Sequence, residues 1–157
     1  MKKKHWGAVQ NIYEEGIRTG TATFEIEAPD YELWNQNHLK HCRLLIEKDN
    51  IVLGWAALSA VSGRCVYGGV AEVSIYMSQK SRRQGLGQVL MKALIACSEK
   101  NGFWTLQSGI FPSNEASIKL HERMGFRHVG TREKIAQLHG VWYNNLIYER
   151  RSKKVGQ

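Results

Sequence analysis

Two groups of residues have types and spacing suited to chemistry. The first is Arg82-Arg83-Gln84-Gly85-Leu86-Gly87, followed by Gln88. Two glycines one residue apart let the backbone turn tightly enough for several amide hydrogens to converge on one point. A helix beginning there adds the positive end of its dipole. Arg82 and Arg83 would supply charge-assisted donors at the rim. The chemistry this suits is capture of a phosphate or diphosphate, although a purely structural turn carries the same local signature. The second group centres on Glu72, the one carboxylate in the run Val70-Ala71-Glu72-Val73-Ser74-Ile75-Tyr76-Met77. A carboxylate on so apolar a strand is costly unless water or a partner compensates it. It is therefore either a satisfied structural residue or a group retained for proton transfer.

Two common nucleotide signatures do not fit. A dinucleotide fingerprint places its glycines in the first strand-helix turn, whereas this loop lies in mid-chain after β-rich runs. A triphosphate loop requires Gly-Lys-Ser or Gly-Lys-Thr, which the chain lacks. Cys42, Cys65 and Cys97 are an odd, widely separated set without metal-type spacing, so no metal is expected. Cys97 falls on an apolar helical stripe and reads as core filling, and the chain reads as intracellular, cytoplasmic and reduced. The formal charge of +8 favours anionic partners, a polyphosphate cofactor among them. No apolar run approaches the length needed to span a membrane.

The elements that must position these residues follow from hydrophobic period. Trp6, Val9, Ile12, Tyr13 and Ile17 predict a helix over residues 6 to 17, with Gly16 and Gly20 weakening its end. Pro29 and Asp30 announce a second helix carrying Leu33, Trp34 and Leu39. The runs Cys42 to Glu47 and Ile51 to Ala60 predict a hairpin turning at Lys48-Asp49-Asn50, and Val70 to Met77 a third antiparallel strand. Leu86, Val89, Leu90, Ala93, Leu94 and Cys97 share one stripe of a long helix ended by Asn101-Gly102. Strand, helix, strand and strand follow: Phe103 to Ile110, Asn114 to Met124, the stretch after Gly125-Phe126, and Trp142 to Tyr148. This order predicts an α/β (α+β) fold, a mixed, mostly antiparallel sheet flanked by helices, within a single domain over 1–157.

With these residues in place the chain resembles the GNAT superfamily of N-acetyltransferases. Arg82, Gly85 and Gly87 match that family's pyrophosphate loop. Ala71 to Tyr76 before the loop, and Asn114, Ser117, Leu120-His121 and Gly125-Phe126 after it, resemble the phosphinothricin and methionine sulfoximine acetyltransferases. The resemblance implies acetyl-CoA as acetyl donor and the primary amine of a small amino acid or analogue as acceptor. A polyamine or protein N-terminus is the alternative acceptor, and a non-catalytic coenzyme A or nucleic-acid binding module the alternative class. It also implies a homodimer with neither nucleic acid nor membrane as partner. Glu72 is then expected to deprotonate the amine and His121 to return a proton to the leaving thiolate. The backbone of Val73, Ser74 and Ile75, the loop from Arg82 to Gln88, and Asn114 with Ser117 are expected to hold the coenzyme. Asn114 reads equally well as a helix cap. Phe24, Glu25, Arg64 and Tyr67 are expected around the acceptor, with Arg64 taking its carboxylate. Trp142, Tyr143 and Asn144 would close the pocket or pack a dimer. Relatives usually open with a short strand, and here that strand is expected to be missing or reduced.

Overall fold

The computed structural model describes residues 1–157. Its sheet is read most easily from the turn at Asp49-Asn50. Both residues sit at positive φ (51° and 61°), the conformation short polar side chains tolerate best and the one a two-residue hairpin demands. They join β1 (Leu44–Lys48) to β2 (Ile51–Ala60), and β2 pairs antiparallel with β3 (Val70–Met77) along its length. β4 (Thr105–Ile110), β5 (Arg127–Leu138) and β6 (Val141–Arg151) complete a six-stranded sheet in the order β1-β2-β3-β4-β6-β5. Only β3 and β4 run parallel, as a strand-helix-strand crossover requires.

The helices divide between the two faces. α1 (Trp6–Ile17) and α2 (Tyr31–Asn37) cover one face through Val9, Ile12 and Trp34, packed on Trp55 and Ala57 of β2. Asp30 caps α2 by accepting from the Leu33 amide at 2.8 Å. Leu39 lies beyond that helix, which ends at Asn37. On the other face Leu90, Met91 and Leu94 of α3 (Leu86–Lys100) join Ala56, Leu58, Ala71, Val73, Leu106 and Phe126 in the larger core. α4 (Glu115–Arg123) packs beside them through Ile118 and Leu120.

No strand precedes α1, in keeping with the expectation of a missing first strand. β1 is consequently an edge strand, and the Met1 amine donates to the Arg43 carbonyl at 2.9 Å just before it. Charged Glu47 and Lys48 at its exposed end are the kind of residues that discourage edge-to-edge pairing.

One expectation about sulfur is corrected. Cys97 does pack beside the core stripe of α3, but it is joined in a disulfide to Cys42, 55 residues away, with Cα atoms 5.6 Å apart. The bond ties the lead-in of β1 to the last turns of α3, and Cys65 alone is a free thiol. A sequence separation of this size offers no spacing signal, so the all-reduced reading had nothing to oppose it.

Candidate active site

β3 and β4 pair only at their beginnings, Val70 with Thr105, Ala71 with Leu106 and Glu72 with Gln107. Beyond that row they part. The edge of β3 from Val73 to Met77 has no strand partner on the β4 side, and β4 continues with β6 alone. Backbone donors and acceptors on such an edge must find partners outside the sheet. The gap opens into a cleft of about 1030 Å³.

Alternation along the strands decides what each side of the gap presents. Val73, Ile75 and Met77 point toward α3 and α4, while Glu72, Ser74 and Tyr76 point toward α1 and α2. Glu72 is exposed, and one carboxylate oxygen accepts from Gln107 Nε2 at 3.2 Å. It is in no salt bridge. Of the readings open at the sequence level, the ion-paired one is thereby removed. Solvent compensates the charge, and the second oxygen is free to take a proton.

The loop before α3 has the predicted cradle geometry. Ser81 is buried and anchors it, donating to Leu53 O at 2.8 Å. Arg83 (φ 61°) and Gly85 (φ 76°) both adopt the left-handed region on either side of Gln84. None of the backbone amides from Arg82 to Gly87 has an acceptor within the chain, whereas that of Gln88 is already bound to Gly85 O. Converging, unengaged amides at the positive end of a 15-residue helix fit a diphosphate. A Cβ at Gly87 would make ordinary van der Waals contact with Leu120 Cδ2 at 3.6 Å and Met77 Cγ at 3.8 Å, so the position has room for a small side chain. Arg82, Arg83, Lys119 and Arg123 surround this end of the cleft.

α4 forms the adjoining wall. Asn114 is a cap and more: its Oδ1 accepts from the Ser117 amide at 3.2 Å while its Nδ2 donates to Thr21 O at 3.1 Å, pinning the α1-α2 loop to α4. His121 is 1% exposed, and burial holds its imidazole below the ordinary 6.5. Nδ1 lies 2.8 Å from the Ser117 carbonyl, which accepts, so Nδ1 carries the hydrogen and Nε2 holds a lone pair. Nε2 has no partner in the chain. A neutral imidazole in that tautomer accepts at Nε2, and only the doubly protonated imidazolium would carry a proton there to give.

The opposite side is built from scattered residues. Phe24 packs on Phe111 at 4.4 Å between centroids, and Phe111 meets Tyr143 edge-on at 5.4 Å. Tyr13 and Tyr76 lie 4.8 Å apart, and burial, the main cause, raises both phenols above their ordinary value, so they remain hydrogen-bond donors at neutral pH. β5 carries three residues, 133 to 135, where β6 carries only Asn144, whose side chain accepts from the Lys134 amide at 2.9 Å. Such a bulge bends the β5-β6 arm and brings Ile135 and Ala136 to the cleft. Tyr143 thus packs behind Phe111 without itself lining the cleft, Asn144 holds the bulge, and Trp142 faces outward, 55% exposed.

Most of the residues expected at the site line this one cleft: Phe24, Glu25, Glu72, Val73, Ser74, Ile75, Arg82, Arg83, Gly85, Leu86, Gly87, Gln88, Asn114, Ser117 and His121. Three do not. Gln84 braces the loop instead, donating to Lys80 O at 3.0 Å. Arg64 and Tyr67 are exposed on the 3-10 turn Cys65–Tyr67 and its approach, the guanidinium 5.6 Å from the Tyr67 ring centroid, and neither reaches the cleft wall. The turn before β3 carries them outward, because an alternating register cannot be extended backwards through Gly68-Gly69. Sequence reasoning missed Ser81, Gln107, Arg132 and Asn145. For Gln107 a signal existed, a polar residue at an alternate position of a strand.

The sequence profile of the acetyltransferase (GNAT) family matches residues 9–126. The chain is 28% identical over 147 residues to the phosphinothricin N-acetyltransferase of Streptomyces viridochromogenes, covering 91% of this chain and 80% of that protein. It is 34% identical over 137 residues to the L-methionine sulfoximine/L-methionine sulfone acetyltransferase of Pseudomonas paraeruginosa, covering 83% and 80% respectively. Among solved structures, a GNAT phosphinothricin acetyltransferase from Sinorhizobium meliloti in complex with acetyl-CoA superposes with a TM-score of 0.85 at 25% identity, covering 96% of this chain and 85% of that one. Profile match, splayed strands and unengaged loop amides agree: the chain belongs to the GNAT family of N-acetyltransferases.

Proposed function

We propose that the protein transfers the acetyl group of acetyl-CoA to the primary amine of a small amino acid or amino-acid analogue, of the phosphinothricin or methionine sulfoximine kind. The observation that carries the reading is the cleft's division. Free amides face it at the start of α3, and an unpaired carboxylate faces it on β3 at the point where the strands separate. The donor supplies a thioester whose acetyl carbon a neutral amine attacks.

Each side chain then has a task. The amides from Arg83 to Gly87, with Arg82 and Arg83, bind the diphosphate, and Ser117 and the Asn114 cap hold the start of α4 against it. The unpaired edge of Val73, Ser74 and Ile75 aligns the pantetheine arm as a further strand would and presents an amide to the acetyl oxygen, where its bond strengthens as charge develops. Glu72 takes a proton from the ammonium, directly or through water, because only the neutral amine is a nucleophile. Gln107 holds the carboxylate in place. Phe24 and Glu25 border the acceptor. The proposal covers 1–157 as one catalytic domain, acting in the cytoplasm as a homodimer. The exposed apolar Val129, Val141 and Trp142 of the β5-β6 arm support a partner copy.

The test is release of free thiol from acetyl-CoA with phosphinothricin, methionine sulfoximine, ordinary amino acids and polyamines offered in turn. Turnover with an amino-acid analogue that drops about 10²–10⁴-fold in Glu72→Gln supports acceptor class and base together. Turnover that survives the substitution removes Glu72 from the role, and turnover with polyamines alone moves the acceptor class.

A further inference from the structure

The acceptor side of the cleft holds a polar pair that the reaction leaves unused. The strand register places it. Gln107 stands opposite both Glu72 and Glu149, Gly109 opposite Ile147, and Asn145 of β6 opposite Arg132 of β5. Residues at intervals of two share a sheet face, so Glu72, Gln107, Gly109, Asn145 and Arg132 all project from the same side. Asn145 and Arg132 both line the cleft.

Their surroundings mark them as more than lining. Asn145 is only 8% exposed, yet its amide makes no hydrogen bond within the chain. Its polar atoms are not sealed off from solvent, so the amide is left open to the cleft and to a ligand that enters it. The chain also makes room for it: a Cβ at Gly109 would stand 2.6 Å from Asn145 Oδ1. Arg132 is in no salt bridge, and it is the one cation of the cleft outside the loop and α4, where the coenzyme phosphates would engage the others. From the level of Glu72 to that of Asn145 is four residues of β6, or about 13 Å of strand. An extended arginine spans about half of that, so a small acceptor bridges the remainder.

On the reading above of an amino-acid acceptor, we propose that Arg132 and the Asn145 amide form an oxyanion subsite. It binds the carboxylate of the acceptor, or the paired oxygens of its phosphinate or sulfone, while Glu72 engages the amine. Arg132 takes the part the sequence suggested for Arg64. The guanidinium donates to two oxygens and Asn145 Nδ2 to one, so a planar carboxylate and a tetrahedral sulfone or phosphinate both fit. Arg132 and Asn145 are specificity residues and touch none of the reacting atoms.

The experiment compares three acceptors, L-methionine sulfone, its carboxamide and the amine lacking the carboxyl carbon, on the parent, Arg132→Gln, Arg132→Lys and Asn145→Asp. Expected for Arg132→Gln is a rise of tenfold or more in the KM for methionine sulfone, with kcat and the KM for acetyl-CoA within threefold. Arg132→Lys recovers part of the loss, and Asn145→Asp, which sets a negative charge at the subsite, loses more. If the defect vanishes with the carboxamide and the decarboxylated amine, the carboxylate is the bound group; if it persists with them, the sulfone is. An Arg132→Gln protein of unchanged thermal midpoint with the parent's KM for all three overturns the subsite and leaves the acetyltransferase reading standing. As a readout independent of turnover, methionine sulfone with coenzyme A raises the melting temperature of the parent but not of Arg132→Gln. An equal rise in both overturns the subsite, and absence of turnover by the parent with every amine overturns the reading on which it rests.

Discussion

The two walls of the cleft are built on different terms. The cofactor wall is a local construction, seven consecutive residues from Arg82 to Gln88 folded over Ser81 and continued by one helix, with the ligand met by backbone amides. The acceptor wall is assembled from α1, the loop after it, and β3 to β6, and the ligand is met by side chains that strand register brings together. A backbone cradle has few ways to vary because every residue supplies the same N–H. A side-chain wall can be re-specified one position at a time with the sheet unchanged. One fold can therefore keep a fixed donor and take different acceptors.

The largest effect that sharpens this contrast is expected at Gly87. Aspartate in the first turn of α3 suits the helix dipole and has space for its Cβ, so the folded protein should be as stable as the parent. Its carboxylate would stand where the diphosphate must sit. Gly87→Asp should weaken coenzyme A binding by calorimetry about a hundredfold or more, while Gly87→Ala stays within a few-fold. Equal behaviour of the two variants would mean that the phosphates bind elsewhere.

A smaller, opposite result is expected at Gly109. Alanine there would drive a methyl against Asn145 Oδ1 and displace the amide from its pocket, at a cost of about 1–3 kcal/mol in stability. Gly109→Ala should raise the KM for the acceptor several-fold and leave the dissociation constant for coenzyme A unchanged. A variant that weakened both ligands equally would show the walls to be coupled and the comparison too sharply drawn.

The same contrast explains what could be read from the sequence. The strands, the long helix and the phosphate loop were legible because their signals are local: alternation in Val70 to Met77, a 3.6-residue stripe in Leu86 to Cys97, and a glycine pair between them. Glu72 stood out as a charge on an apolar strand. Arg132 and Asn145 did not, because neither breaks a local pattern, and only the pairing of β5 with β6 makes them neighbours. The three-residue bulge that bends β5 has no composition of its own. Arg64 and Tyr67 were legible as a motif but not as a position, since the direction of the turn Cys65–Tyr67 depends on tertiary packing. Cys42 and Cys97 failed as a pair for the same reason, and His121 could be found on its helix while its tautomer depended on the carbonyl one turn back.

The smallest expected effect concerns that histidine. Burial holds the His121 imidazole below 6.5, so the folded protein resists a proton that the unfolded chain accepts as pH falls through that value. Below 6.5 the unfolded state binds more protons, and stability falls with pH until the folded imidazole also titrates; above 6.5 the group contributes no slope. Asparagine is the informative replacement, because its Nδ2 occupies the place of Nδ1 and can still donate to Ser117 O. Denaturant unfolding from pH 7.5 to 5 should show the parent losing more stability than His121→Asn. His38, depressed chiefly by burial and further by Arg43, remains in both proteins and cancels. The same variant decides what the residue does in the cleft. If the imidazole stays neutral with its lone pair at Nε2 and only accepts a hydrogen bond there, kcat in His121→Asn should stay within about tenfold of the parent and keep the shape of its alkaline limb. A fall of a hundredfold or more, with loss of that limb, would restore an acid to the cofactor wall. Catalysis there would then rest on a side chain as well as on the backbone.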